Sequence, residues 1–360
     1  TLQVALSGNG RATSPCAFSL SANQQSLPAA GGASTIILST APGCEWTSAS
    51  GAHWLAVPSG TAGSGNGSVT MVAASNPETV SRSTTLNIAG QSVSITQGPS
   101  GIARAPALYP GGVVNAASFA AGQVLAPGSV AALFGTDLTA RFAQGSDIPL
   151  PTSLENLSVT FNGIPAPLFH LIPQGPYAPA QINVQVPWDV LPQGQTQGTA
   201  TVVVTRNGTP SPPMPVSIGP FSPGVFAITL SSGKSLAIAI NLDASLAGPV
   251  GSVSGYPTHP AKAGDVVQIL ATGLGEVDTP VPGNGIASMD RLRRTTTTPA
   301  VLFGGVPAAE VHFSGLAPSL VGVNQINAIV PANAPKGSAV PLQIRIGGII
   351  TTATVTIAIK

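Results

Sequence analysis

Apolar and polar residues alternate in short runs along almost the whole chain. Leu2, Val4 and Leu6 are interleaved with Gln3, Ala5 and Ser7, and comparable alternation fills residues 34–40, 68–73, 84–89, 92–97, 199–205, 342–346 and 351–359. A repeat of two sends successive side chains to opposite faces of an extended strand, so these runs predict half-buried β-strands. They are rich in Val, Ile and Thr, and Gly, Pro, Asn and Ser flank them, as strands joined by tight turns require. The pairs Ala89-Gly90, Asn207-Gly208 and Gly347-Gly348 fall between strand runs and predict two-residue hairpin turns. The 3.6-residue period of an amphipathic helix is almost absent. The expected fold class is all-β.

An internal repeat sets the number of domains. Phe161-Asn-Gly-Ile-Pro-Ala-Pro-Leu-Phe-His170 returns as Phe303-Gly-Gly-Val-Pro-Ala-Ala-Glu-Val-His312, which pairs His170 with His312. Gln181-Ile-Asn-Val-Gln-Val-Pro187 returns as Gln325-Ile-Asn-Ala-Ile-Val-Pro331. Ala126-Pro-Gly-Ser-Val130 matches the segment that opens at Ala261. Each copy has about 100 residues, the size of one β-sandwich. The prediction is three tandem immunoglobulin-like sandwiches at residues 13–98, 106–220 and 256–360. A short N-terminal strand (1–12) precedes them, and a connector with its own strands (221–255) separates the last two.

Composition sharpens this picture. Charged residues are 7% of the chain, against about 25% in an ordinary globular protein. Hydrophobic residues are 43%, enough to build cores, so the 42 glycines and 35 prolines are placed in turns rather than in a disordered chain. With a net charge of +1 there is no basic stripe to neutralise phosphates, and Arg291, Arg293 and Arg294 read as a solvated loop; no nucleic-acid partner is expected. No apolar run reaches the roughly 18 residues of a membrane span. Few charges weaken the repulsion between copies and favour self-association. Cys16 and Cys44, the two cysteines, lie in one small module and predict a disulfide formed in an oxidising compartment, hence a secreted or cell-surface protein. A chain opening at Thr1 reads as a processed mature protein.

Chemistry is sparse. The histidines are His53, His170, His259 and His312; none stands at metal-ligand spacing from another, and no catalytic site, metal site or cofactor is expected. Gly233-Lys-Ser235 is a chance near-match to a nucleophile turn. Glu276, Asp278 and Asp290 offer oxygens for calcium, but their spacing fits a solvated loop better. Trp46 and Trp54 have two readings: flat faces that stack on sugar rings, or core packing as in many sandwiches of this size. Sequons begin at Asn66, Asn156 and Asn207.

Five segments carry a family resemblance in the first module. They are Cys44-Glu-Trp-Thr-Ser-Ala-Ser50, His53-Trp-Leu-Ala-Val57, Gly63–Thr70, Arg82–Gly90 and Val93-Ser-Ile-Thr-Gln97. Together they resemble a BACON domain, an immunoglobulin-like module of bacterial surface and secreted proteins. The resemblance implies carbohydrate binding. Residues 113–360 resemble the Solibacter-type uncharacterised C-terminal domain of acidobacterial secreted proteins. The matching segments are Val114-Asn-Ala-Ala-Ser-Phe119, Ala126-Pro-Gly-Ser-Val130, Phe134-Gly-Thr-Asp-Leu138, Gln181–Trp188, Ala271-Thr-Gly-Leu-Gly275 and Gln325–Pro331. That family implies no activity. Two functions follow. The first is a non-enzymatic structural subunit whose strand at Leu2, Val4 and Leu6 adds to a sheet edge of another copy, building a coat, matrix or filament. The alternative is a carbohydrate-binding or adhesion protein with a polysaccharide as partner, held through the first module.

Overall fold

In the computed structural model the described residues are 16–101, 104–352 and 354–360, and they contain strands and turns but no helix. The strand expected at Leu2, Val4 and Leu6 lies outside the described residues. The architecture is all-β and immunoglobulin-like: six sheets pack face to face in three sandwiches, each around its own core.

In the first sandwich, one sheet has the order Ser19–Leu20, Gly32–Ser39, Gly67–Ala73, Leu55–Ser59. The other has the order Gln24–Leu27, Gln91–Gln97, Arg82–Ile88, Glu45–Ser50, Ala62–Ser64. Alternation does the sorting: Ile36 and Leu38 are fully buried, while Ile37 between them is 59% exposed. Ile36, Leu38, Val69 and Met71 from one sheet meet Leu86, Ile88, Val93 and Ile95 from the other. Cys16 and Cys44 are joined by a disulfide with Cα atoms 5.7 Å apart.

The second and third sandwiches belong to one compact unit, residues 104–174 and 179–360; the first belongs to another. The internal repeat is a repeat of strand order. Val130–Thr136, Ala180–Gln185 and Leu168–Ile172 neighbour one another in one sheet, as Val266–Thr272, Asn324–Ile329 and Val311–Leu316 do in the third sandwich. In the facing sheets, Gly198–Arg206 lies between Leu157–Phe161 and Met214–Ile218, just as Gly337–Ile346 lies between Ala300–Phe303 and Val355–Ile359. A shared side-chain bond marks the register: Gln181 Nε2 donates to Asn183 Oδ1 at 2.7 Å, and Gln325 Nε2 donates to Asn327 Oδ1 at 2.7 Å. The three hairpin pairs fold as the sequence predicts, with φ of 51° and 76° at Ala89-Gly90, 49° and 78° at Asn207-Gly208, and 55° and 81° at Gly347-Gly348.

Three expectations need correction. Residues 221–255 are not a connector between sandwiches. Gly224–Val225 and Ala239–Ile240 pair with Val266–Thr272, and Ser235–Ala237 joins the facing sheet through Leu236 and Thr356. The third sandwich therefore begins near residue 221; its opening strands are two or three residues long, too short to show a period. Second, His170 and His312 are not equivalent. His170 is opposite Asn183, whereas a bulge skips His312 and places Phe313 opposite Asn327, because the loop before this strand is one residue longer in the second copy. Third, Arg293 is not in a solvated loop. It is 4% exposed, and its guanidinium donates to Pro280 O (2.7 Å), Ser288 Oγ (2.9 Å) and Asp290 Oδ1 (2.6 Å). A buried guanidinium is tolerable when its planar set of donors meets this many acceptors.

Within the shared unit, the two sandwiches are locked by buried polar side chains as well as apolar contact. Thr272 Oγ1 accepts from Val130 N (2.9 Å) and donates to Gly322 O (2.7 Å). Asn115 Nδ2 donates to Ser222 O (2.7 Å), and Gln185 Oε1 accepts from Gly285 N (2.7 Å). Val114, Ala116, Val130 and Ala132 close the seam against Phe226 and Val323.

Candidate functional site

The two tryptophans singled out in the first module sit in different surroundings. Trp46 is 6% exposed, and its Nε1 donates to Gly65 O at 2.8 Å. Its benzo edge lies so close to Gly63 and Gly67 that a Cβ on either would come within 2.5 and 2.3 Å of Cζ2. Those two positions have no room for a larger residue, which places the glycines of Gly63–Thr70 in structural terms. Trp54 is 9% exposed, with the Arg82 guanidinium 4.5 Å from its ring centroid. Arg82 in turn donates to Gln97 Oε1 (2.8 Å), Ala74 O (3.0 Å) and Ser75 O (2.9 Å). Burial holds the Arg82 pKa down to about 10, against the pull of Glu78. Trp54 is thus the apolar wall of a structural arginine site.

Trp46 also borders a surface groove of about 710 Å³, lined by Phe18, Glu45–Thr47, Ala62–Ser64, Ala89 and Gly90. The strands Glu45–Ser50 and Ala62–Ser64 form its floor, paired Glu45 to Ser64, Trp46 to Gly63 and Thr47 to Ala62. Period two makes Glu45 and Thr47 exposed on either side of buried Trp46. The groove therefore offers a carboxylate, hydroxyls and the small apolar side chains of Ala62 and Ala89, the mixed polar and apolar lining of a small-ligand site. Trp54 does not line it.

In the second unit, a cleft of about 810 Å³ has walls from both of its sandwiches, among them Trp188, Asp189, Phe221, Glu276 and Asp278. Trp188 ends a segment quoted above for its family resemblance, but a lone aromatic after a proline carries no periodic signal. Glu276, Asp278 and Asp290 are not brought together as a calcium group. Asp290 pairs with Arg293, and Asp278 Oδ2 accepts from Arg294 N at 3.1 Å. Among the described residues, no group of three or more His, Cys, Asp or Glu is placed to hold a metal ion.

One arrangement imitates a catalytic triad. Ser245 Oγ donates to Asp243 Oδ1 (2.7 Å), and His259 Nε2 lies 2.8 Å from Asp243 Oδ2. The carboxylate separates serine from histidine, so the imidazole is not placed to take the hydroxyl proton, as a nucleophile–base pair demands. His259 Nδ1 meets Pro260 O at 3.0 Å, so both ring nitrogens face acceptors and the ring pKa is raised, first by that carbonyl and then by Asp243. Asp243 is held below the usual carboxylate range, chiefly by Ser245 and then by His259. The cluster is an exposed charged clasp on the loop that ends near His259. His170 has its pKa lowered by burial, and His312 Nε2 lies 3.3 Å from Glu310.

Residues 45–98 match the family model BACON, described as a putative binding domain, N-terminal. No curated protein matches the chain. Among solved structures, similarity is found to a xyloglucanase from Bacteroides ovatus in complex with a heptasaccharide, at 16% identity and TM-score 0.22, covering 31% of this chain and 21% of that one. A surface glycan-binding protein from Prevotella bryantii is similar at 13% identity and TM-score 0.18, over 69% of this chain and 41% of that one. A tandem fragment of titin is similar at 10% identity and TM-score 0.17, over 96% and 100%. This chain thus spans about a fifth of the xyloglucanase.

Proposed function

We propose that the protein is a non-enzymatic extracellular binding protein whose first sandwich holds carbohydrate in the groove beside Trp46. The observation that carries this reading is a coincidence of position. The match to a binding-domain family covers residues 45–98, and every lining residue of the groove except Phe18 falls within it. The disulfide in the same module supports an oxidising, extracellular setting. Glu45, Thr47 and Ser64 supply acceptors and hydroxyls for sugar hydroxyl groups. Affinity electrophoresis of the full chain through gels containing neutral and acidic polysaccharides tests the reading. Retardation by at least one polysaccharide is expected, and Ala62→Trp, which fills the groove from an exposed position, is expected to abolish it. Equal retardation of that variant would move the site elsewhere, and mobility unchanged by every polysaccharide would end the reading.

A second reading is self-assembly by strand addition, favoured by one open edge. Ser19–Leu20 covers Gly32–Ser39 only at Leu38 and Ser39, and Ser21 satisfies the N–H and carbonyl of Ile37, so among the described residues no strand pairs with the outer edge from Gly32 to Ile36. That segment carries no charge, and charge is the usual protection of such an edge. The uncharged run Thr1–Gly10, with Leu2, Val4 and Leu6 on one face, is the proposed donor. Electron microscopy of full-length protein and of protein lacking residues 1–10 tests this. Filaments from the first alone are expected; a monomer at high concentration, or identical filaments from both, would refute it.

A further inference from the structure

The second unit contains an aromatic ring that its own internal repetition does not require. The turns that lead into Val130–Thr136 and Val266–Thr272 are built alike. Gly128 N donates to Val186 O at 2.9 Å, and Gly264 N donates to Val330 O at 2.9 Å. Val186 N donates to Ser129 O (2.8 Å), and Val330 N donates to Asp265 O (2.9 Å). Both glycines have positive φ, 74° and 86°. A Cβ on Gly264 would meet nothing within 4 Å, yet one on Gly128 would lie 2.3–2.5 Å from three ring atoms of Trp188. One face of the indole therefore rests on the first turn, while the second turn is bare. The position that matches Trp188 in the second copy is Ala332, so the fold makes this turn without the ring. The ring is also kept against an energetic penalty, because its Nε1 is shielded from solvent and has no acceptor. A feature absent from the sister copy and locally unfavourable points to use rather than to folding.

What the ring borders is the 810 Å³ cleft, within the size range of small-ligand sites. Asp189, Glu276 and Asp278 line the same cleft, and no Lys, Arg or His does. The chain has only 12 acidic residues in 360, so three around one cavity is a concentration of negative charge. Of the nearby arginines, Arg293 is paired with Asp290, and the Arg294 side chain sits over Phe313, 5.1 Å from the ring centroid. Arg291 and Arg293 instead donate to Thr279 O and Pro280 O, which fixes the acidic segment in place.

We infer that this cleft binds a cationic sugar, an oligosaccharide of protonated amino sugars, with the apolar face of one ring on Trp188 and its ammonium groups among Asp189, Glu276 and Asp278. An aromatic face and carboxylates around one cavity combine stacking with cation recognition. The inference is independent of the groove beside Trp46. Isothermal titration of the full chain with a glucosamine tetramer tests it, against two probes that each keep half of the chemistry. The N-acetylglucosamine tetramer has the rings without the charge, and tetralysine has the charge without the rings. Binding of the glucosamine tetramer is expected, with both other probes weaker by about tenfold or more. Trp188→Ala, which copies the residue of the sister repeat and so keeps the turn, is expected to lose about tenfold. Glu276→Gln, at an exposed position, is expected to weaken binding by a few-fold and to flatten its salt dependence. Ala62→Trp is expected to change nothing here. Equal affinity for the acetylated tetramer or for tetralysine, full affinity in Trp188→Ala, or no heat with the glucosamine tetramer at millimolar concentration would each overturn the inference.

Discussion

Gln185→Leu should weaken the second unit specifically, and the size of the effect follows from what Gln185 touches. The side chain is fully buried; its Oε1 accepts from Gly285 N at 2.7 Å, and its Nε2 reaches Gly128 O at 3.4 Å. Gly285 belongs to a loop of the third sandwich that closes onto the second, where Leu150 N donates back to Gly285 O at 2.9 Å. Leucine keeps the volume but offers no acceptor, so the Gly285 N–H is left buried and unpaired. That orphan costs about 1–3 kcal/mol, and the long contact to Gly128 O adds little. A net loss of about 2 kcal/mol corresponds to a fall in Tm of roughly 4–8 °C for a unit of this size. Calorimetry of the full chain should show the transition of the second unit moving down while that of the first stays fixed, and hydrogen exchange should show the Gly285 amide losing protection. The sister copy has Ile329 at the matching position, so an apolar residue is compatible with the sandwich itself. If Tm moves by less than about 1 °C with the exchange rate unchanged, the side chain is not what couples the two sandwiches.

Three further outcomes are expected. Gly67→Ala should destabilise the first sandwich by about 2–3 kcal/mol, because its Cβ would meet Trp46 Cζ2 at 2.3 Å; an unchanged urea midpoint would contradict this packing. Cys44→Ser should cost about 3–4 kcal/mol through the loop of 28 residues that the disulfide closes, with no change in the transition of the second unit by calorimetry. The charged clasp should be tightest at mildly acidic pH. His259, raised above its ordinary 6.5, stabilises below that value and loses its contribution as pH rises through its folded pKa. Asp243, lowered from 3.8, stabilises above that value and loses its contribution as pH falls through its depressed folded pKa. An NMR titration of His259 should therefore show its midpoint falling toward 6.5 in Asp243→Asn; an unmoved midpoint refutes the pairing.

The strands, the hairpin turns and the doubled sandwich were legible because each rests on a local rule. Alternation sorted Ile36 and Leu38 inward and Ile37 outward, and Asn207-Gly208 has the two residues that tolerate consecutive positive φ. What was not legible depends on residues far apart in sequence. Arg293 reads as surface charge until Pro280 O, Ser288 and Asp290 are seen around it. The opening strands of the third sandwich are too short for a period, and their identity comes only from their partners. The one-residue slip at His312 comes from the longer loop before the strand, while both copies bulge at the same place, so the motif stays readable although Phe313, not His312, matches His170. Trp188 had a usable signal: in the aligned repeat it stands where the sister copy has Ala332. Differences between copies, more than their identities, mark where use departs from architecture.

The placement of Val355–Ile359 has a consequence for how the chain is made. This strand is buried along its whole length, paired antiparallel with Gly337–Ile346 and parallel with Ser235–Ala237. Its partner Ser235–Ala237 is synthesised some 120 residues earlier. At about 5–20 residues per second the nascent sheet waits on the order of ten seconds for the strand that fills it. Throughout that interval the apolar side chains of Leu236, Ala237 and Ala239 face no finished core. The sandwich can therefore close only when Val355–Ile359 has emerged.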